Sequence, residues 1–442
     1  MIQTCLYHSC YHDWVTFSPA KRTFHYAWVV AAITFLTLLI GAGVRATPSV
    51  LIVPLERDFH WSRATISFAI SVNLVLYGLI GPFAAELMNR FGVRRVIAGS
   101  LLLVSTAVAL TTRMSASWQL VVLWGVLVGS GTGMTALVLG ATIVNRWFTA
   151  QRGVVMGVLT ASTATGQLIF LPILAALVER HGWRSAALLI AGCAAAVIPF
   201  ALFFIRERPA DLGLLPYGEV STPHSESAVS PARESALAVL RSVAPSRDFW
   251  LLFASFFICG ASTNGLIGTH LIPACMDHGI PEVKAAGLLA IMGIFDLIGT
   301  TSSGWLSDRF DNRYLLAWYY GLRGLSLLYL PFSFDINFYG LSLFAVFYGL
   351  DWIATVPPTV RLTANLFGKE RSSIVFGWIV AGHQLGAALA AFGAGAIRTY
   401  LGNYTSAFLL AGLMCVTATL VVLPIGRRPK VQPPLPVLVS AE

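Results

Sequence analysis

The sequence is poor in charge and in cysteine. Of its 442 residues, 11% are charged and 56% are hydrophobic, whereas soluble domains are about a quarter charged. With a mean hydropathy of +0.74, the chain is predicted to be an integral membrane protein. None of the six cysteines has metal-ligand spacing, so we interpret them as small apolar side chains or inert thiols. They are Cys5, Cys10, Cys193, Cys259, Cys275 and Cys415.

The absence of certain motifs argues against several classes of function. The chain has no glycine-rich phosphate-binding motif, which argues against ATP-driven transport. It also has no nucleophile–base or metal-ligand constellation, so we expect no enzyme activity, no catalytic residue, no metal and no cofactor. We expect no cleavable signal peptide either, because the first apolar run is too long for one.

Twelve apolar runs, each about as long as a membrane-spanning helix of roughly 20 residues, follow one another between residues 27 and 425. A polar stretch separates the first six from the last six. Since an open chain satisfies its backbone in hydrocarbon only as a helix, we predict an all-α membrane protein with twelve transmembrane helices in two six-helix bundles. The expected domains are an N-terminal segment 1–26, a first bundle 27–205, a linker 206–248, a second bundle 249–425 and a tail 426–442.

The net charge of +9 is unevenly distributed along the chain, and its distribution indicates how the chain is oriented in a membrane. With both termini on one side, that side carries 19 of the 29 Lys and Arg residues. Cytoplasmic loops are enriched in these residues. We therefore expect a multi-pass protein of the cytoplasmic (inner) membrane, with both termini and the linker cytoplasmic. The expected macromolecular environment is the lipid bilayer, with no nucleic-acid partner.

The two halves contain the same motifs 219 residues apart. AELMNRFGVRR, from Ala85, and GWLSDRFDNR, from Gly304, share Leu, Arg, Phe and Arg at that offset. WFTAQR, from Trp147, and LFGKER, from Leu366, share Phe and Arg at the same offset. Two independent matches in one register indicate an internal repeat.

The motif after the second and eighth helices resembles G-x-L-x-D-R-x-G-x-R/K, the signature of the major facilitator superfamily. The resemblance implies two bundles around a central substrate cavity, with these loops acting as a cytoplasmic latch. Asn89 replaces the aspartate in the first copy, so we expect more gating charge in the second copy. The predicted gating residues are Asn89, Arg90, Arg94, Asp308, Arg309 and Arg313.

Two segments are similar to bacterial members of the monocarboxylate transporter family. One is YAWVVAAITFLTLLIGAGVRATPSV, followed by HWSRATIS, and the other is WFTAQRGVVMGVLTASTATG. This resemblance implies a small organic anion as the substrate.

Charged residues inside the apolar runs are candidates for function, because each costs at least a few kcal/mol. Asp296 lies halfway along the eighth helix, where the family has an aspartate that takes part in proton or substrate coupling. Thr300 stands where the family has an arginine, and Arg323 in the ninth helix is an alternative partner. We predict proton coupling by Asp296 and substrate binding by Arg323. A static Asp296–Arg323 pair that fixes helix packing is the alternative.

Three further residues are candidates for substrate binding. Arg45 lies in the first helix, where the family has a cationic residue that attracts the substrate carboxylate. Snorkelling to the outer interface is the alternative for Arg45. Asn264 and His270, in the seventh helix, are the others, and ordinary interhelical hydrogen bonding is their alternative.

Asp351 and His383 are additional candidates for proton coupling. Asp351 precedes Pro357-Pro358, which is expected to interrupt and bend the tenth helix. His383 can titrate near neutral pH, although the glycines around it also fit a histidine that serves packing. Arg361 is expected to pair with a gating loop or with lipid phosphate.

Together these features predict a secondary transporter, functioning as a monomer, that moves a small organic anion with a proton by alternating access. An efflux carrier for a drug or an amphipathic metabolite, with the same fold, is the first alternative. A transporter-like solute sensor is the second, and the linker is short for a signalling domain.

Overall fold

The computed structural model describes residues 25–219, 235–334 and 338–426, and within them the chain is almost entirely helical. The predicted all-α class is confirmed. The long helices are α1 (Ala27–Phe59), α2 (Arg63–Phe91), α3 (Val93–Thr111), α4 (Ser117–Trp147), α5 (Arg152–His181), α6 (Trp183–Phe204), α7 (Arg247–Asp277), α8 (Glu282–Ser307), α9 (Asn312–Ser333), α10 (Phe338–Asp351 and Val356–Phe367), α11 (Lys369–Leu401) and α12 (Thr405–Val422).

Among the described residues, eleven helices are long and apolar enough to cross a membrane. The remaining long helix, α9, is less apolar, as its buried Arg323 illustrates. Packing of α9 against α12 and α10 nevertheless makes it part of the second bundle. Side-chain contacts within the protein therefore compensate for its lower hydropathy.

Two helices contain a turn of π-helix, over Val121–Val128 in α4 and Ala261–Ile267 in α7. A π-helical turn breaks the regular backbone hydrogen bonding and is frequent at functional sites. In α4 the Asn73 amide compensates by donating to the Trp124 carbonyl at 2.7 Å.

The internal repeat is visible in the backbone. The helical segments of α4 are interrupted between Met134 and Leu137, and α10 is interrupted between Asp351 and Val356. At the offset of 219 residues, Thr135 corresponds to Ala354, which lies within the second interruption. The register found from the loop motifs therefore also aligns two helix breaks.

The position of the linker distinguishes the two ends of the helix assembly. Trp28, near the start of α1, contacts Tyr217 of the linker with ring centroids 5.7 Å apart. We call this end of the bundles the linker face and the opposite end the far face. Linker residues on the other side of 220–234 form a helix, Ala236–Val243, that packs on α11.

The two bundles meet along α2 with α11 and along α5 with α8. A Cβ added at Gly78 on α2 would lie 2.5 Å from the Cβ of Gln384 on α11. One added at Gly395 on α11 would lie 2.3 Å from the Ser67 hydroxyl on α2. Glycine at both positions allows the bundles to approach this closely.

Candidate functional site

The break in α10 leaves backbone groups without helical partners inside the second bundle. Pro357 and Pro358 do not lie in the break but begin the segment that follows it. Proline is tolerated in the first turn of a helix, but it has no N–H to donate to the carbonyl four residues earlier. The carbonyls of Ile353 and Ala354 therefore lose their helical partners, and the interruption lies on the N-terminal side of the prolines, next to Asp351.

Arg323 of α9 supplies donors to this break. Its Nε donates to the Asp351 carboxylate at 2.6 Å, and one Nη donates to the carbonyls of Asp351 and Trp352 at 2.5 and 3.2 Å. Arg323 is 1% exposed and Asp351 is 5% exposed. A buried guanidinium thus neutralises a buried carboxylate and compensates the open helix end, while Oδ1 of Asp351 has no hydrogen-bond partner among the described residues.

Asp296 of α8 contacts the same break from another side. Its carboxylate accepts from the backbone N–H of Ile353 at 2.9 Å and from the Thr300 hydroxyl at 2.9 Å. The approach is possible because Gly299 lies against the Leu350 carbonyl, where a Cβ would be 1.8 Å away. Asp296 is 4% exposed and has no ion-pair partner among the described residues.

The ion pair in this group of residues is therefore not the one that the sequence suggested. Sequence reasoning offered Arg323 as a partner of Asp296, but the guanidinium bonds to Asp351 instead. The reason is the helix break, which presents Asp351 and two carbonyls to the same guanidinium. Asp296 remains the carboxylate of this group that no cation neutralises by direct contact.

Cys259 and His383 extend the polar cluster to α7 and α11. The Cys259 sulfur accepts from Arg323 at 2.9 Å and lies 3.3 Å from the Thr355 hydroxyl. His383 lies beside Cys259, and within the part of the chain that the structure describes its Nδ1 has no hydrogen-bond partner. Four predicted site residues, Asp296, Arg323, Asp351 and His383, are thus parts of one cluster in the second bundle.

Arg45 lies in the first bundle, whereas that cluster belongs to the second. Its guanidinium stands 4.8 Å from the ring centroid of Tyr77, which is halfway along α2. This position at mid-helix differs from a side chain that snorkels to an interface. Among the described residues no carboxylate lies within ion-pair distance of Arg45, and Tyr77 is its cation–π partner.

The other two predicted substrate ligands have different surroundings. Nε2 of His270 donates to the Ala391 carbonyl at 2.8 Å, and its Nδ1 lies 3.2 Å from the Tyr404 hydroxyl. His270 is fully buried between α7, α11 and the start of α12. Asn264 lies in the π-helical turn of α7, where its carbonyl accepts from the Thr269 hydroxyl at 2.8 Å.

The far face carries an ion-pair network that joins the two bundles. Arg63, at the start of α2, donates to both oxygens of Asp277, at the end of α7, at 2.6 and 2.7 Å. Arg63 also contacts Glu56 at 2.8 Å, and Arg398 of α11 contacts Asp277 at 2.7 Å. We call Glu56, Arg63, Asp277, Arg398 and Tyr404 the far-face latch.

Tyr404 connects this latch to the interior. Its hydroxyl accepts from Arg63 at 3.1 Å and lies against Nδ1 of His270. Arg63 is 4% exposed, so the ion pairs are withdrawn from water and form a specific bidentate contact. The far face is therefore closed in this structure.

Sequence reasoning did not find the far-face latch. Arg63 and Asp277 are 214 residues apart, and both lie at helix ends, where charged residues are ordinary. The one signal was the segment HWSRATIS, which contains Arg63 and was recognised only as a family resemblance. Pairing it with Asp277 requires the three-dimensional arrangement of the bundles.

Loosening the far-face latch should expose the bundle interface. Ser67 is fully buried against Gly395, so we expect a cysteine in its place to react slowly with a membrane-impermeant maleimide. When Asp277→Asn is added, the labelling rate should rise about tenfold. The reason is that making closure of the far face less favourable by about 1.4 kcal/mol raises the population of open molecules tenfold. Asp248→Asn, a linker-face substitution, is the control; equal rates in both variants would contradict a latch.

The predicted gating residues lie on the linker face, and the contacts found there join elements of one bundle. In the first bundle Asn89 accepts from Arg146 at 2.6 Å, and Arg146 also contacts Glu207, whose carboxylate accepts from the backbone N–H of Arg94 at 3.1 Å. Arg90 lies 5.4 Å from the ring centroid of Phe91.

The second bundle has the more strongly charged copy of this arrangement. Asp308 forms an ion pair with Arg361 of α10. Arg313 pairs with Asp311 at 2.5 Å, and Arg309 stands over the Trp305 ring at 4.0 Å. Arg361 thus contacts a gating loop, as the sequence suggested.

Comparison with known proteins adds a family to this geometry. The model of the Major Facilitator Superfamily matches residues 33–360 and 303–439. An uncharacterized MFS-type transporter of Bacillus subtilis, YcxA, is 25% identical over 396 residues, covering 88% of this chain and 91% of that protein. Monocarboxylate transporter 13 of Rattus norvegicus is 26% identical, covering 90% and 89%.

Solved structures share the fold at low sequence identity. A D-xylose-proton symporter matches with a TM-score of 0.73 at 15% identity, covering 91% of this chain and 98% of that one. A bacterial homologue of the human lysosomal transporter Spinster matches with a TM-score of 0.68 at 16% identity, covering 91% and 96%. The two-bundle architecture predicted from the repeat is confirmed by these matches.

Proposed function

Because the chain belongs to the Major Facilitator Superfamily and is a membrane transporter, not an enzyme, we propose that it carries a small organic anion together with a proton. The anion is of the monocarboxylate type, which the names of several relatives share. Transport proceeds by alternating access of one central site to the two faces.

Arg45 is the observation that carries this proposal. It is a cation at mid-helix whose neighbour is an aromatic ring, with no carboxylate partner among the described residues. A charge in that position is costly unless something neutralises it. A substrate carboxylate would do so, and its bidentate geometry suits a guanidinium.

Asp296 supplies the proton-binding group in this proposal. Its carboxylate has hydrogen-bond donors but no direct cation, so it can exist protonated or ionised according to what binds near it. Asp351 is held by Arg323 and, with His383, forms the polar path beside it. Protonation of Asp296 would alter its bond to the α10 break, which links the proton to a hinge.

The distribution of Lys and Arg supports a placement in the cytoplasmic membrane with the linker face inside. In that orientation the far-face latch closes the outer side. The protein works as a monomer, since each bundle pair contains one Arg45 and one polar cluster.

A substrate panel in proteoliposomes tests this function. Purified protein should accumulate labelled lactate, pyruvate or acetate under an inward proton gradient, and a protonophore should abolish accumulation. Succinate and xylose serve as dicarboxylate and neutral controls, and protein-free liposomes give the background. Absence of any monocarboxylate flux, together with proton-driven extrusion of a lipophilic dye, would establish the efflux alternative instead.

A further inference from the structure

A cavity lies on the far face, between the two bundles and beside the far-face latch. Its volume is about 640 Å³. The walls come from the ends of α1 and α5 and the start of α6 in one bundle, and from the α7–α8 connection in the other. Charged wall residues are Arg57, Asp58, Glu179, His181, Arg184 and Glu282.

The charges in this cavity do not balance. Asp58 is satisfied within the first bundle, by Arg184 at 3.2 Å and the Trp183 indole N–H at 2.7 Å. The remaining carboxylates are Glu179 and Glu282, with Arg57 as their cationic neighbour. Two carboxylates therefore share one guanidinium, and neither forms an ion pair with it among the described residues.

Glu282 is the unusual member. It is only 4% exposed, yet none of the residues that the structure describes forms a hydrogen bond with its Oε1. A buried, unpaired carboxylate oxygen is costly and calls for a donor. Glu179 approaches from the other bundle, where it accepts from the backbone N–H of Val283 at 3.1 Å, one residue after Glu282.

Apolar residues complete the wall, among them Pro54, Val178, Met276, Ile280 and Pro281. The cavity therefore combines polar and apolar surface, and polar groups at fixed positions orient a bound small molecule. A ligand that suits this cavity has a hydrophobic body and a positively charged group with N–H donors.

We propose that this cavity is a regulatory site for a small organic ammonium ion, whose N–H groups bind Glu282 and Glu179. Because these carboxylates belong to different bundles, the bound cation joins them across the far face. Met276 of the wall precedes Asp277 of the far-face latch in the chain. The bound ligand therefore reinforces the closed arrangement of the far face, and it slows transport without occupying the central substrate site.

Two probes of the same size test the proposal by titration calorimetry on the full-length protein in detergent micelles. They are benzylammonium and neutral benzyl alcohol, neither of which carries the carboxylate proposed for the central site. We expect benzylammonium to bind at least tenfold more tightly than benzyl alcohol. It should also slow maleimide labelling of a Ser67→Cys variant, which reports closure without requiring a known transport substrate.

The wall carboxylates supply matched variants. Glu282→Gln preserves side-chain size and should weaken benzylammonium binding at least tenfold, with a smaller effect from Glu179→Gln and none from Asp248→Asn. The proposal is overturned if benzyl alcohol binds as well as the cation, or if Glu282→Gln binds the cation unchanged. Should Glu282→Gln fail to fold, the comparison of the two probes on the unsubstituted protein still decides.

Discussion

Replacing Arg323 by methionine is expected to lower the free energy of unfolding by about 3–5 kcal/mol, because it leaves the buried Asp351 carboxylate without its cation. The same change removes the donors to the carbonyls of Asp351 and Trp352 at the α10 break. Equilibrium unfolding in mixed micelles measures the difference. Adding Asp351→Asn should recover a substantial part of it, since no buried charge then remains unpaired.

Arg361 provides the matched control for Arg323. It also pairs with an aspartate, Asp308, but its side chain is 43% exposed and that of Asp308 is 67% exposed. Exposed ion pairs contribute about 0–1 kcal/mol, so Arg361→Met should change the unfolding free energy only slightly. Equal losses for Arg323→Met and Arg361→Met would contradict the structural role of the buried pair.

The second large effect is expected at Arg45. Arg45→Gln should reduce the ratio of maximal rate to half-saturation concentration for the transported anion by roughly 100-fold, because a charge-assisted contact with the carboxylate is lost. Arg45→Lys should restore part of the rate, since it keeps the charge without the bidentate geometry. Initial rates of labelled uptake give both values.

The environment of Arg45 allows a finer check. Tyr77→Phe keeps the aromatic ring and should have little effect, whereas Tyr77→Leu removes the cation–π partner. Arg113→Gln, an exposed far-face substitution, controls for a general loss of positive charge. If Arg113→Gln and Arg45→Gln reduce uptake equally, Arg45 has no specific role in anion binding.

Much of the fold could be predicted because hydrophobic length and repeats are properties of the chain itself. The twelve runs indicated the helices, and the offset of 219 residues related the halves before their breaks at Thr135 and Ala354 were known. The doubled proline indicated a broken α10. Its exact location follows from the missing N–H of the two prolines, which leaves the carbonyls four residues earlier, at Ile353 and Ala354, without helical partners.

The candidate site was harder to predict, since it depends on which helices are neighbours. Asp296, Arg323, Asp351 and His383 were each identified as deep polar residues, but the pairing of Arg323 with Asp351 follows from the carbonyls at the break. For residues outside the apolar interior, the sequence provided less indication of function. Arg63 of the far-face latch and Glu282 of the far-face cavity both lie at helix ends, where charged residues are expected for many reasons.

The central claim is that Asp296 couples a proton to movement of the anion. Asn at this position can still accept from the Ile353 N–H and contact Thr300, so Asp296→Asn should fold and bind substrate. In proteoliposomes we expect this variant to exchange labelled for unlabelled anion at equal pH, but not to accumulate it under an inward proton gradient. Accumulation that still follows the proton gradient would contradict the account.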